Sequence, residues 1–207
     1  MNMRKRAIWV AVLSVVAALT ASAALAGAAG AAPHWKANGT ELTSPETVVA
    51  ETSASTVTLS TLATTCSATI KGTIANTTGF AGVINVESMA LSGCATNGAC
   101  TVTSASAAEL PWGGASLSIG GNPYLKILGF DNRIKYASCA ISGLTIKYQG
   151  NIGGLFNNAS STLTFNAETA AATNSEIHSV GESETTYSSV WNVQMTGSHA
   201  GQALTLS

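Results

Sequence analysis

From Cys66 to Ile74 the chain alternates without a break. Cys66, Ala68, Ile70, Gly72 and Ile74 fall on one side, and Ser67, Thr69, Lys71 and Thr73 on the other. A period of two belongs to an extended strand with one face toward a core and the other toward water. The pattern predicts a half-buried strand and aims Cys66 inward. Further runs of this kind cover residues 56–59, 83–91, 100–104, 116–119, 124–130 and 133–139. Leu144, Ile146 and Tyr148 alternate with polar neighbours, as do Leu163, Phe165 and Ala167, then Trp191, Val193 and Met195, and finally Leu204 and Leu206. An edge strand around Thr47-Val48-Val49 sits within a polar lead, residues 34–55. Gly120-Gly121-Asn122-Pro123 and Asp131-Asn132 read as breaks between strands. A helical turn is suggested only around residues 168–172, and residues 173–189 read as a polar loop.

About ten short strands at this spacing predict an all-β fold, a single β-sandwich of jelly-roll or Greek-key type. Abundant Thr, Val and Ile favour strands over disorder, although only 9% of the residues are charged. A transmembrane barrel shows the same alternation, but it carries aromatic girdles, and aromatics make up 6% of this chain.

The N-terminus reads as an export signal. Arg4, Lys5 and Arg6 precede an apolar run over residues 7–19, and Ala-x-Ala patterns end at Ala23, Ala26 and Ala31. A basic head, a short apolar core and a small-residue cleavage region are the three parts of such a signal. We expect a signal-peptide helix over residues 1–31, cut after Ala31, and one secreted domain over residues 32–207. The chain has nine Lys and Arg against ten Asp and Glu. Losing Arg4, Lys5 and Arg6 leaves six bases against ten acids, a net charge of −4. That balance speaks against a nucleic-acid partner and against attachment to anionic lipid. No transmembrane segment is expected after signal cleavage.

All four cysteines, Cys66, Cys94, Cys100 and Cys139, lie in the mature part, and an even number in an exported chain points to disulfides. Asn97-Gly98 between Cys94 and Cys100 is a strong hairpin signal that would place those two opposite each other. The expected pairs are therefore Cys94 with Cys100 and Cys66 with Cys139. Gaps of 27, 5 and 38 residues between successive cysteines do not suit a structural zinc site.

Reaction chemistry is hard to find. His34, His178 and His199 read as solvated, Asp131 is the sole aspartate, and no G-x-S-x-G elbow exists. Glu176, His178, Glu182 and Glu184 lack metal-ligand spacing and read as a charged loop. Asn38, Asn76 and Asn158 begin Asn-x-Thr/Ser triplets. No enzyme activity, cofactor or metal is expected. Trp112, in Leu110-Pro111-Trp112-Gly113-Gly114, is the candidate ligand contact. Its two readings are a plug in the core and an exposed platform for an apolar molecule or a glycan.

At Cys66-x-Ala-x-Ile-x-Gly72, Leu91-Ser92-Gly93-Cys94, Leu110-Pro111-Trp112 and Cys139 the chain resembles small exported bacterial proteins that include the activators of alkane oxidation. Uncharacterised actinobacterial secreted proteins in this group open much as His34-Trp35-Lys36-Ala37-Asn38-Gly39 does here. The resemblance implies an extracellular or cell-surface β protein associated with use of hydrophobic substrates, and it supplies no catalytic residues. The expected role is structural, adhesive or matrix-forming, with the protein itself or a cell-surface component as partner. The alternative is a binding module for apolar ligands or glycans at Trp112.

Overall fold

The computed structural model describes residues 32–77, 81–98, 100–174, 177–179 and 185–207. The expected export signal, residues 1–31, lies outside them, as do Glu176, Glu182 and Glu184. The strands are β1 (Trp35–Ala37), β2 (Thr40–Glu41), β3 (Glu46–Leu59), β4 (Leu62–Asn76), β5 (Gly82–Thr96), β6 (Thr101–Ala107), β7 (Trp112–Ile119), β8 (Asn122–Ala137), β9 (Thr145–Asn157), β10 (Thr162–Phe165), β11 (Ile177–Ser179), β12 (Thr185–Met195) and β13 (Leu204–Leu206). One short helix, α1 (Ala167–Ala172), stands where a helical turn is expected. Its first turn is closed reciprocally: the Asn166 side chain accepts from the Thr169 N–H, and the Thr169 hydroxyl accepts from the Asn166 N–H, both at 2.8 Å.

The all-β expectation holds, but the sandwich does not. Hydrogen-bonded neighbours run β9, β10, β12, β3, β4, β5, β7, β8 and back to β9, so the sheet closes into an eight-stranded barrel. Both architectures give each strand one inner and one outer face, so alternation cannot tell them apart. What distinguishes the barrel is strand length and bending. β3, β4, β5, β8 and β9 run 13 to 16 residues, longer than the short strands expected. Register shifts at Thr52/Ser55, Thr65/Ser67 and Ile127/Phe130 bend them round. Asp131-Asn132 is not a break: β8 runs straight through it, and both residues are buried at 2% exposure. The irregularity lies just upstream, where Gly129 takes φ +76°, a conformation that glycine adopts without strain. The supposed edge strand at Thr47-Val48-Val49 belongs to β3, paired along both sides with β4 and β12.

Nor does Asn97-Gly98 zip up a hairpin. β6 pairs with β8, not with β5. Asn97 turns to the β3–β4 connection instead, where its side chain accepts from the Ala63 N–H at 2.9 Å and donates to the Thr61 carbonyl at 2.9 Å. β5 follows β4 almost to its end, which sets Cys94 beside Cys66. The disulfides are accordingly Cys66–Cys94 and Cys100–Cys139, correcting the expected pairing. A local turn signal lost to a long ladder.

Inside, the barrel is filled by Trp35, Trp112, Trp191, Phe130, Phe156 and Tyr187. Outward positions carry Thr47, Glu51, Ser53, Lys71, Thr186 and Gln194. Leu144 and Val190 are the exposed large hydrophobics among the described residues, so the outer wall lacks the apolar band of a lipid-facing barrel. No described helix is long and apolar enough to cross a membrane.

Candidate functional site at the disulfide-bearing end

The barrel has two unlike ends. At the lower one, β1, β2 and β13 form a separate small sheet that closes the base. Trp35 lies under it, edge-on to Phe156 at 5.3 Å, with its indole N–H donating to the Val83 carbonyl at 3.0 Å. Asn76 accepts from the Trp35 N–H at 2.7 Å and donates to the carbonyls of Trp35 and Leu42. Asn158 grips Leu206 in the same two-handed way, at 2.7 and 3.0 Å, and Asn38 accepts from the Ala203 N–H. The three sequon asparagines thus spend their amides holding the terminal strands.

The lower end also holds a cluster that sequence reading missed. Glu46 is 2% exposed, and its Oε2 accepts from Ser198 Oγ at 2.7 Å and from His199 Nδ1 at 2.8 Å. Its Oε1 accepts from the His199 backbone N–H. Burial by itself would raise the pKa of this carboxyl. The hydrogen bonds from His199 and Ser198 outweigh it and hold the group down at about 2. An ionised carboxylate only accepts, so Nδ1 of His199 carries the proton here. His199 is therefore anchored rather than solvated. Only the three-dimensional fold joins Glu46 to a histidine 153 residues away.

The upper end is built differently. It comprises the β3–β4 turn, the β5–β6 turn and the stretch between β8 and β9, and both disulfides sit there. No small sheet covers it among the described residues. Leu59, Leu62, Leu91, Val102, Ile141 and Ile146 pack against the core but stay half-buried, and Leu144 is 54% exposed. Beneath them runs a buried hydroxyl chain, with Tyr136 OH 2.7 Å from Thr64 Oγ1 and 2.8 Å from Tyr148 OH. Burial first, and then the bond to Tyr136, push the Tyr148 phenol above its usual range. It therefore stays neutral in ordinary buffers. Leu144 and Ile146 were legible as alternating strand residues. Leu144 instead falls just before β9, on the rim.

Trp112 is 2% exposed, packs on Phe130 at 5.2 Å and donates its indole N–H to the Ala108 carbonyl at 2.8 Å. It is a core plug, and the exposed-platform reading falls away. The cavity it lines is wholly apolar and about 30 Å³ in volume. Space of that size is too small for a hydrocarbon chain, and an apolar lining offers a water molecule no hydrogen-bond partners. His34 meets Glu41 at 3.2 Å, and His178 lies half-buried on β11. Among the described residues no group of three or more His, Cys, Asp or Glu is placed to hold a metal ion.

The chain matches the description of the PraA/PraB-like alkane oxidation activators over residues 3–202. It belongs to that family. The resemblance carried by the short motifs around Cys66, Cys94, Trp112 and Cys139 is thereby established over nearly the whole chain. Neither a curated protein nor a solved structure matches it.

Proposed function

We propose that this PraA/PraB-like chain is an exported, non-enzymatic protein of structural, adhesive or matrix type, which meets hydrophobic matter with the upper end of its barrel. The observation that carries the reading is the gathering of half-buried apolar side chains around the exposed Leu144 at that end, while Val190 on β12 is the other exposed large hydrophobic among the described residues. Membership of a family named for activation of alkane oxidation gives the surface its context. Two disulfides suit an oxidising compartment outside the cytoplasm.

The test is adsorption to hexadecane droplets. The mature protein should coat them, and a Leu144→Ser/Ile141→Ser variant with unchanged thermal stability should coat them less. Equal adsorption by both would remove the upper end from the account. The rival reading, a carrier with ligand inside the barrel, has against it the cavity at Trp112, which at about 30 Å³ is too small for a hydrocarbon chain. That reading requires brominated alkanes to quench tryptophan fluorescence saturably, and ours predicts no saturable quenching.

A further inference from the structure

Beside the lower end, on the outside of the barrel, lies a cleft of about 300 Å³, against about 30 Å³ for the cavity at Trp112. Its floor is the end of β12, where Asn192 and Gln194 point outward while Val193 and Met195 turn into the core. The turn between β9 and β10 lines one side with Ser160 and Ser161. The segment before β13 lines another with Gly201 and Gln202. The volume falls at the low end of the roughly 300–1,000 Å³ typical of small-molecule sites.

Three observations set this cleft apart. The first concerns its amides. Elsewhere at this end asparagine amides are spent on the fold, Asn76 on the Trp35 and Leu42 carbonyls and Asn158 on Leu206. The side-chain amides of Asn192, Gln194 and Gln202 make no hydrogen bond among the described residues, yet all three residues line one cleft. The second is the firmness of its sides. Gln202 donates its backbone N–H to the His199 carbonyl at 3.1 Å, and the buried Glu46 grips both His199 and Ser198. A side chain at Gly197 would run into the Glu46 carboxylate, so only glycine lets this loop approach so closely. Across the cleft, Ser161 Oγ donates to the Leu204 carbonyl at 2.7 Å. The third is charge. No lining residue is charged, and Glu51 on β3 stands across the ladder from Asn192, which disfavours an anionic ligand.

We propose that this cleft binds a neutral carbohydrate chain. A primary amide offers two donors and an acceptor in one plane, and a sugar hydroxyl both donates and accepts. Three unspent amides and the Ser160 hydroxyl therefore match adjacent hydroxyls on a sugar with no charge on either side. An uncharged peptide fits less well. Peptides add to free strand edges, but β12 is laddered to β3 as far as Met195, and the Val193 N–H already donates to the Ser161 carbonyl. For its biological use the inference rests on the adhesive reading: the upper end meets hydrophobic matter while the cleft holds a surface glycan.

The experiment uses the mature protein with both disulfides intact, observed by NMR at the side-chain NH₂ signals of Asn192, Gln194 and Gln202. The probes are maltohexaose, cellohexaose and mannohexaose, with oligogalacturonate and a blocked Gly/Ser peptide as controls. At least one neutral oligosaccharide should shift these signals saturably, and neither control should. Asn192→Ala/Gln194→Ala, which changes two exposed side chains, should weaken binding about tenfold with thermal stability unchanged. The same variant should still coat hexadecane droplets, and Leu144→Ser/Ile141→Ser should still bind the oligosaccharide. Failure of the cleft and failure of the adhesive reading are thereby told apart. The proposal is overturned if no oligosaccharide gives a saturable shift, if the shifts lie elsewhere, or if the alanine variant binds equally well. Saturable binding of the peptide or of oligogalacturonate at the same signals would also overturn it.

Discussion

The two ends of the barrel solve one problem by different means. The lower end is sealed by side chains: Trp35 and Leu206 fill the base, and Asn76, Asn158 and Asn38 hold the terminal strands by their amides. The upper end is pinned by covalent bonds and keeps its apolar residues half-buried. A sealed end needs no cross-link, because burial and satisfied hydrogen bonds already favour one arrangement. An end left partly open forgoes that burial, and cross-links hold it in shape while its surface stays available. On the proposed reading, stability concentrates at one end and contact with hydrophobic matter at the other.

The largest effect is expected in the shared core. Trp112→Ala should cost about 3–5 kcal/mol in chemical denaturation, because it removes a buried indole packed on Phe130 and orphans the Ala108 carbonyl. A small cost would mean that the core relaxes around the vacancy. Next comes Cys100→Ser/Cys139→Ser, expected to cost about 3–4 kcal/mol by loop entropy for a separation of 39 residues. In that variant amide exchange should speed up at residues 100–107 and 137–146 and hardly at all in β1 and β13. Uniform loosening would erase the contrast between the ends.

Glu46→Gln should cost about 1–3 kcal/mol and loosen residues 196–204, since it weakens the grip on Ser198 and His199. Its pH signature has a definite sign. The native pKa of Glu46 lies near 2, below the ordinary 4.5, so its contribution is complete above about 4.5 and is lost as pH falls toward 2. Acid titration of the wild type should show that loss, and the Gln variant should lack it. The smallest stability effect belongs to Leu144→Ser on the open rim, within about 0.5 kcal/mol, with reduced droplet adsorption. A larger cost would show that Leu144 serves the fold rather than contact.

Much of the fold is legible locally. The alternation of Trp191, Val193 and Met195 marks β12, and that of Cys66, Ala68 and Ile70 marks β4 with its cysteine turned inward. Closure is not legible, because a barrel and a sandwich demand the same inside-outside pattern. The bulge at Gly129 shifts the phase of β8, so a strand crossing Asp131-Asn132 looks like two. The disulfides were misassigned for a related reason: Asn97-Gly98 is a turn signal, but its asparagine is spent on the β3–β4 connection. Glu46 with His199, and the upper rim, arise from residues far apart in sequence, and no spacing rule connects them.

The central claim is that contact with hydrophobic matter is made at the upper end. It is tested most directly by amide exchange of the mature protein adsorbed on hexadecane droplets and free in buffer. The account predicts that adsorption protects residues 59–62 and 138–146 while leaving β1, β13 and the turn around His199 unchanged. Protection confined to the lower end, or spread evenly over the barrel, would contradict it.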